Sequence, residues 1–113
     1  TDDHLRNHGF LYERHKGWRL SSAYDLNPTP VEIKPRILTT TIDLNDGTAS
    51  LDLALSVLKD FRLSQDEAKA IMKEVGIEVA KWRDVAQTLG LNKAEIDRMV
   101  SAFEHSDSSV ASK

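Results

Sequence analysis

The chain has 113 residues, 40% hydrophobic and 29% charged, which is one domain's length and an ordinary composition for a folded, water-soluble chain. Its formal net charge of −3 argues against bulk electrostatic binding to nucleic acid, and with no cysteine it has no disulfide framework, thiolate metal site or cysteine nucleophile. No apolar run approaches the roughly 20 residues of a membrane-crossing helix, and no signal peptide is visible, so a cytoplasmic chain without a membrane partner is expected.

Residues 1–36 are rich in His, Asp, Asn, Gly and Pro. Within them Phe10-Leu11-Tyr12 and Trp18 to Leu20 flank His15-Lys16-Gly17, which predicts a β-hairpin with a glycine-containing turn. Asp25 to Pro30 reads as a loop, because each proline biases its predecessor away from the helical region. Residues 37–43 are β-branched enough for a short strand, and Asn45-Asp46-Gly47 supplies a turn.

From Ser50 the apolar period changes to that of a helix. Leu51 to Phe61 predicts a buried helix of about 10 residues, apolar around most of its circumference. Ser64 with Glu67 forms a capping box. It opens a stripe of Ala68, Ile71, Met72, Val75, Val79, Trp82, Ala86 and Leu89, expected as one long helix bent at Gly76 and stopped by Gly90. Asn92 with Glu95 repeats the cap before Ile96, Met99, Val100 and Phe103. The serine-rich residues 106–113 are expected to be disordered. The division expected is 1–36 for loops and hairpin, 37–105 for a helical subdomain, and 106–113 for a tail. The fold class expected is mainly α (α+β), a short hairpin followed by a helical bundle.

The residues with chemistry to offer lie early. Asp2 and Asn7 have the D-x-x-x-x-N spacing of a phosphotransferase catalytic loop, whereas Asp3 misses it. In such a loop a carboxylate accepts the proton of the attacking hydroxyl, and an amide oxygen helps hold Mg²⁺. The ion also needs an anionic ligand, and Asp25, folded back by the hairpin, is the candidate. Taken alone, the spacing is a weak signal, and the competing reading is that these residues cap turns.

Two runs strengthen it. Thr1-Asp2-Asp3-His4-Leu5-Arg6-Asn7-His8-Gly9-Phe10-Leu11, followed by Gly17-Trp18-Arg19-Leu20-Ser21-Ser22-Ala23-Tyr24-Asp25-Leu26-Asn27-Pro28, resembles the C-terminal part of HipA-like kinases. The similarity extends over the helical remainder, so it covers nearly the whole chain. The resemblance implies the C-terminal lobe of a protein-kinase-like fold in a serine/threonine kinase that is the toxin of a toxin–antitoxin module. It implies Asp2 as the catalytic aspartate and Asn7 and Asp25 as Mg²⁺ ligands, with His4 and Arg6 shaping the loop and Arg6 also neutralising phosphate charge. It further implies ATP as cofactor and a HipB-like antitoxin as partner, reaching DNA through that antitoxin. In some members the protein substrate is an aminoacyl-tRNA synthetase. Ser22 departs from the family's usual proline, and the asparagine that usually precedes the motif is absent. The five glycines are scattered singly, so no glycine-rich phosphate loop is present, and Thr1 begins inside the motif. An inactive fragment of a kinase is therefore expected, with the nucleotide-anchoring residues upstream.

Two other readings stay open: a small-molecule kinase of the aminoglycoside or choline type, and a non-catalytic helical interaction module over residues 50–105. Bland readings are preferred elsewhere. His4 and His8 lack a third zinc ligand, and Asp43 to Gly47 fails the register of a calcium loop, leaving a turn. His15 is expected in a turn and His105 as a cation at a helix C-terminus. Trp82 is expected in the core, and Trp18 between hairpin and helices. Lys69, Lys73, Lys81 and Arg83 alternate with acids, as on a solvated helix face.

Overall fold

The computed structural model describes residues 3–112. It is mainly helical, with one antiparallel hairpin ahead of the helices. Strands β1 (Phe10–Glu13) and β2 (Gly17–Leu20) pair in the register Phe10↔Leu20 to Glu13↔Gly17. The turn needs positive φ at two places: Gly17 meets this without a Cβ clash at φ 89°, and His15 adopts φ 71°. Alternation along the strands sets Phe10, Tyr12, Trp18 and Leu20 on one face and Leu11, Glu13 and Arg19 on the other. Tyr12 and Trp18 meet ring to ring at 5.4 Å, and Arg19 pairs with Glu13. Trp18 is 71% exposed, so it packs on Tyr12 and does not join the hairpin to the helices as expected.

The predicted strand over 37–43 reduces to a single bridge, Ile37↔Thr48. Side chains and main chain there bond elsewhere. Thr40 turns its N–H and hydroxyl to the Asp3 carbonyl, and the Asp43 carboxylate accepts the N–H groups of Asn45 and Asp46, both at 2.7 Å. The expected turn at Asn45-Asp46-Gly47 is therefore present, built as an Asx turn.

Helix α1 (Leu51–Ser56) starts at Ser50, whose hydroxyl accepts the Leu53 N–H, and is followed by a 3-10 turn, Leu58–Phe61. The expected single helix is thus divided, and its end is not buried, with Phe61 66% exposed. Helix α2 (Gln65–Val79) opens on the Ser64–Glu67 capping box. The helix expected to run on to Gly90 continues unbroken through Gly76, but its ladder lapses at Ala80–Lys81, where the Lys81 N–H reaches the Glu78 carbonyl three residues back. Helix α3 (Trp82–Thr88) follows and stops as predicted at Gly90, whose φ of 84° lets Leu91 N–H return to the Ala86 carbonyl.

The Asn92–Glu95 box opens α4 (Lys93–Arg98), and α5 (Val100–Phe103) follows directly. Phe103 stacks on Trp82 at 4.6 Å and 10°. The tail is not disordered as expected: Ser106–Ala111 forms helix α6, packed on α2. Composition concealed this because tertiary contacts create the helix. Asp107 pairs with Arg36 at 2.8 Å, and Ala111 lies against the bare backbone of Gly76. His105 is also corrected. It stands at the N-terminal end of α6, its Nδ1 accepting the Ser108 N–H, where an acceptor is required and a cation is not. Burial first, then Arg36, push its pKa below the ordinary value, against the pull of Asp107.

Among the described residues the buried hydrophobic side chains are Ala68, Ala86 and Ile96. The radius of gyration is 15.9 Å, against ~13 Å for a compact domain of this length. Local elements and pairwise clasps carry this fold more than one central core does.

Candidate functional site

The early polar cluster is organised by the hairpin. His4 precedes a 3-10 turn, Leu5–Asn7, whose Asn7 Oδ1 accepts the His4 N–H at 3.1 Å while Asn7 N–H bonds to the His4 carbonyl at 2.8 Å. The chain then enters β1, reverses, and leaves β2 with Ser21 N–H bonded to the Gly9 carbonyl at 2.8 Å. Tyr24 Oη donates to the Arg6 carbonyl at 2.7 Å. Beside it, Asn7 Nδ2 donates to Asp25 Oδ2 at 2.8 Å. Two residues 18 positions apart in sequence thus meet side chain to side chain, as folding back through the hairpin predicts.

Asp25 is exposed and holds φ 59°, a left-handed conformation that Asp tolerates better than most residues. Its other oxygen, Oδ1, accepts Asn27 Nδ2 at 2.6 Å. A cleft of about 640 Å³ beside the pair is lined by Asp3, Tyr24, Asp25, Asn27 and Lys34, among others. Of the expected site residues, Asn7 and Asp25 are brought together. His4 sits at the start of the same turn, with an enclosed Nδ1 that has no hydrogen-bond partner among the described residues. Arg6 contributes its carbonyl to the Tyr24 bond, and its side chain is exposed. Asp2 lies outside the described residues.

Asp3 has its own contacts. Its carboxylate pairs with His8 Nε2 at 2.9 Å, and its carbonyl receives both Thr40 N–H at 2.9 Å and Thr40 Oγ1 at 3.1 Å. Sequence reasoning overlooked Tyr24, Asn27 and Thr40 as contributors. The Asp25-x-Asn27 spacing signals an Asx-type contact and was available; Thr40 comes from a distant segment, and no sequence signal marks it.

Asp25 offers carboxylate oxygens on an open surface; Asn7 meets it through its amide nitrogen, while the Asn7 Oδ1 accepts the His4 N–H. No group of three or more His, Cys, Asp or Glu able to hold a metal occurs among the described residues. Carboxylate and amide oxygens are donors of the kind that Mg²⁺ takes, its shell being completed by water and phosphate oxygens. The described residues form no helix long and apolar enough to cross a membrane.

No curated protein and no solved structure matches the chain. A family model for the HipA-like C-terminal domain matches residues 1–109, nearly the whole length, and the chain belongs to that family.

Proposed function

We propose that this chain supplies the catalytic and metal-binding loops of an ATP-dependent serine/threonine protein kinase acting as the toxin of a toxin–antitoxin pair. The observation that carries the proposal is the contact of Asn7 with Asp25 at 2.8 Å, made across the hairpin in a chain of the HipA family. Phosphoryl transfer asks a protein mainly for positioning and charge stabilisation, and the contact supports this reading by bringing an amide and a carboxylate from two loops together.

In the reaction, Asp2 accepts the proton of a substrate serine or threonine hydroxyl. The hydroxyl oxygen forms a bond to the γ-phosphorus as the bond to the bridging β,γ-oxygen breaks, and ADP leaves. Asn7 and Asp25 would hold Mg²⁺, which when bound neutralises charge on the phosphates. The exposed Arg6 side chain adds positive charge near the same loop, and residues outside this chain would cradle the rest of the nucleotide. A HipB-like antitoxin is the proposed partner, with DNA reached through it, and an aminoacyl-tRNA synthetase is a substrate to test first.

The test is transfer of labelled γ-phosphate to protein by this domain joined to its nucleotide-binding lobe. Asp2→Asn and Asp25→Asn are each expected to reduce transfer to background while the circular dichroism spectrum is kept. Undiminished transfer by a folded Asp25→Asn protein refutes the metal-binding role of Asp25, and transfer no higher than background by the folded wild-type protein refutes the kinase reading and favours the helical interaction module.

A further inference from the structure

We propose that Tyr24 is a positioning residue for the metal-binding pair: its phenol, bonded to the Arg6 carbonyl, holds Asn7 and Asp25 face to face. The inference rests on the reading of that pair as a divalent-cation site and assigns a part to a residue outside it.

The hairpin alone does not bring the two loops to contact distance. Its ladder ends at Phe10↔Leu20 and is extended by the bond from Ser21 N–H to the Gly9 carbonyl. Continued along the same register, the two chain segments set Arg6 opposite Tyr24. There the Tyr24 hydroxyl spans the gap, donating to the Arg6 carbonyl at 2.7 Å. Asn7 follows Arg6, and Asp25 follows Tyr24. The link therefore clasps the chain immediately before each member of the pair.

Three further observations fit a clasp. A Cβ on Gly9 would stand 3.7 Å from Tyr24 Oη, an ordinary contact distance, so the tyrosine hydroxyl lies directly over the loop. Asp25 sits at φ 59°, a left-handed conformation, between two bonded neighbours. Tyr24 fixes the N-terminal side of Asp25, and Asn27 holds its carboxylate from the other at 2.6 Å. Finally, Tyr24 is 46% exposed, so its ring is no core anchor and the hydroxyl bond is its distinctive contact.

The experiment uses the full chain and Mn²⁺ as a probe for the hard-cation site. Free Mn²⁺ is followed by electron paramagnetic resonance, and the Asn7 side-chain amide by nitrogen-15 NMR without metal. In Tyr24→Phe, Mn²⁺ binding is expected to weaken about tenfold, the lower end of what loss of outer support costs a metal site, because the chain before each ligand is released. The Asn7 amide signal should move toward the position of a solvent-exposed side chain, with the thermal midpoint within a few degrees of wild type. Ser101→Ala, which removes an unrelated hydrogen bond to Glu32, should change neither readout. Asp25→Ala should abolish binding. An unmoved Asn7 signal with unchanged Mn²⁺ affinity in Tyr24→Phe overturns the role of Tyr24. A wild-type chain that ignores millimolar Mn²⁺, while the Asn7 signal still moves in Tyr24→Phe, overturns the metal reading and leaves the clasp of the pair standing.

Discussion

Replacing Gly76 with alanine should have opposite effects on the chain with and without its last helix. Gly76 lies in the interior of α2, where glycine costs ~1 kcal/mol relative to alanine. In an unencumbered helix the substitution is therefore stabilising. Here a methyl group at residue 76 would fall 2.6 Å from the Ala111 carbonyl carbon, 2.7 Å from its oxygen and 2.8 Å from its Cβ. The obstacle includes backbone, which cannot swing aside as a long side chain can. Overpacking of this kind costs ~1–3 kcal/mol. Set against the propensity gain, it leaves the full chain unchanged at best and less stable by up to ~2 kcal/mol at worst. In a chain ended after Glu104 the obstacle is gone, and the same substitution should stabilise by ~1 kcal/mol, or roughly 4–8 °C in midpoint. Thermal unfolding followed by circular dichroism reads both backgrounds, and hydrogen exchange over Ser106–Ala111 shows whether α6 has lifted from α2. An equal gain in both would refute the docking of α6 on Gly76.

Three other expectations follow from the same contacts. Because burial and Arg36 hold the His105 pKa below the ordinary histidine value, the folded chain binds fewer protons there than the unfolded one. Stability from this cap is then complete above that value and lost as pH falls through it toward the folded pKa, loosening α6; hydrogen exchange of α6 between about pH 7 and about pH 5 should show this, and His105→Asn should remove the dependence. Asn92→Ala removes the acceptor of the Glu95 N–H at 3.1 Å and should cost ~1 kcal/mol in urea unfolding, whereas Asn92→Asp should be nearly neutral. A double-mutant cycle on Trp82 and Phe103, stacked at 4.6 Å, should return ~0.5–1.5 kcal/mol of coupling, and zero coupling would mean the rings do not meet in solution.

Local chemistry was legible in the sequence, and tertiary chemistry was not. The capping boxes at Ser64 and Asn92 and the stop at Gly90 stand where residue type demands them, because each is decided within a few residues. So does the hairpin turn, fixed by His15 and Gly17. The strand expected over 37–43 was lost because Thr40 bonds to Asp3, 37 residues away, a partner that β-propensity cannot see. The α6 helix went unread for the same reason: its serines have little drive of their own, and its supports, Arg36 and Gly76, are remote. Glycine weakens a helix and so suggests a bend at Gly76, whereas the structure sets the Ala111 backbone too close there for a side chain.

The same distinction bears on the candidate site. Contact between Asn7 and Asp25 was foreseeable from a hairpin between them, but a two-stranded hairpin in water is marginal by itself. Cross-strand pairs such as Tyr12 with Trp18 add only ~0.2–1 kcal/mol each, and the apolar face of this hairpin is largely open, with Phe10 64% and Leu20 58% exposed. Register matters, since a slip of one residue turns every strand side chain to the opposite face and moves Tyr24 away from Arg6. The precision of the site must therefore come from contacts beyond the ladder. Tyr24 on the Arg6 carbonyl, Asn27 on Asp25 and Thr40 on the Asp3 carbonyl are those contacts, and none of them belongs to the two sequence positions that first drew attention. Spacing picks out the groups that could do chemistry; their usable geometry is set by neighbours whose own types look unremarkable in the sequence.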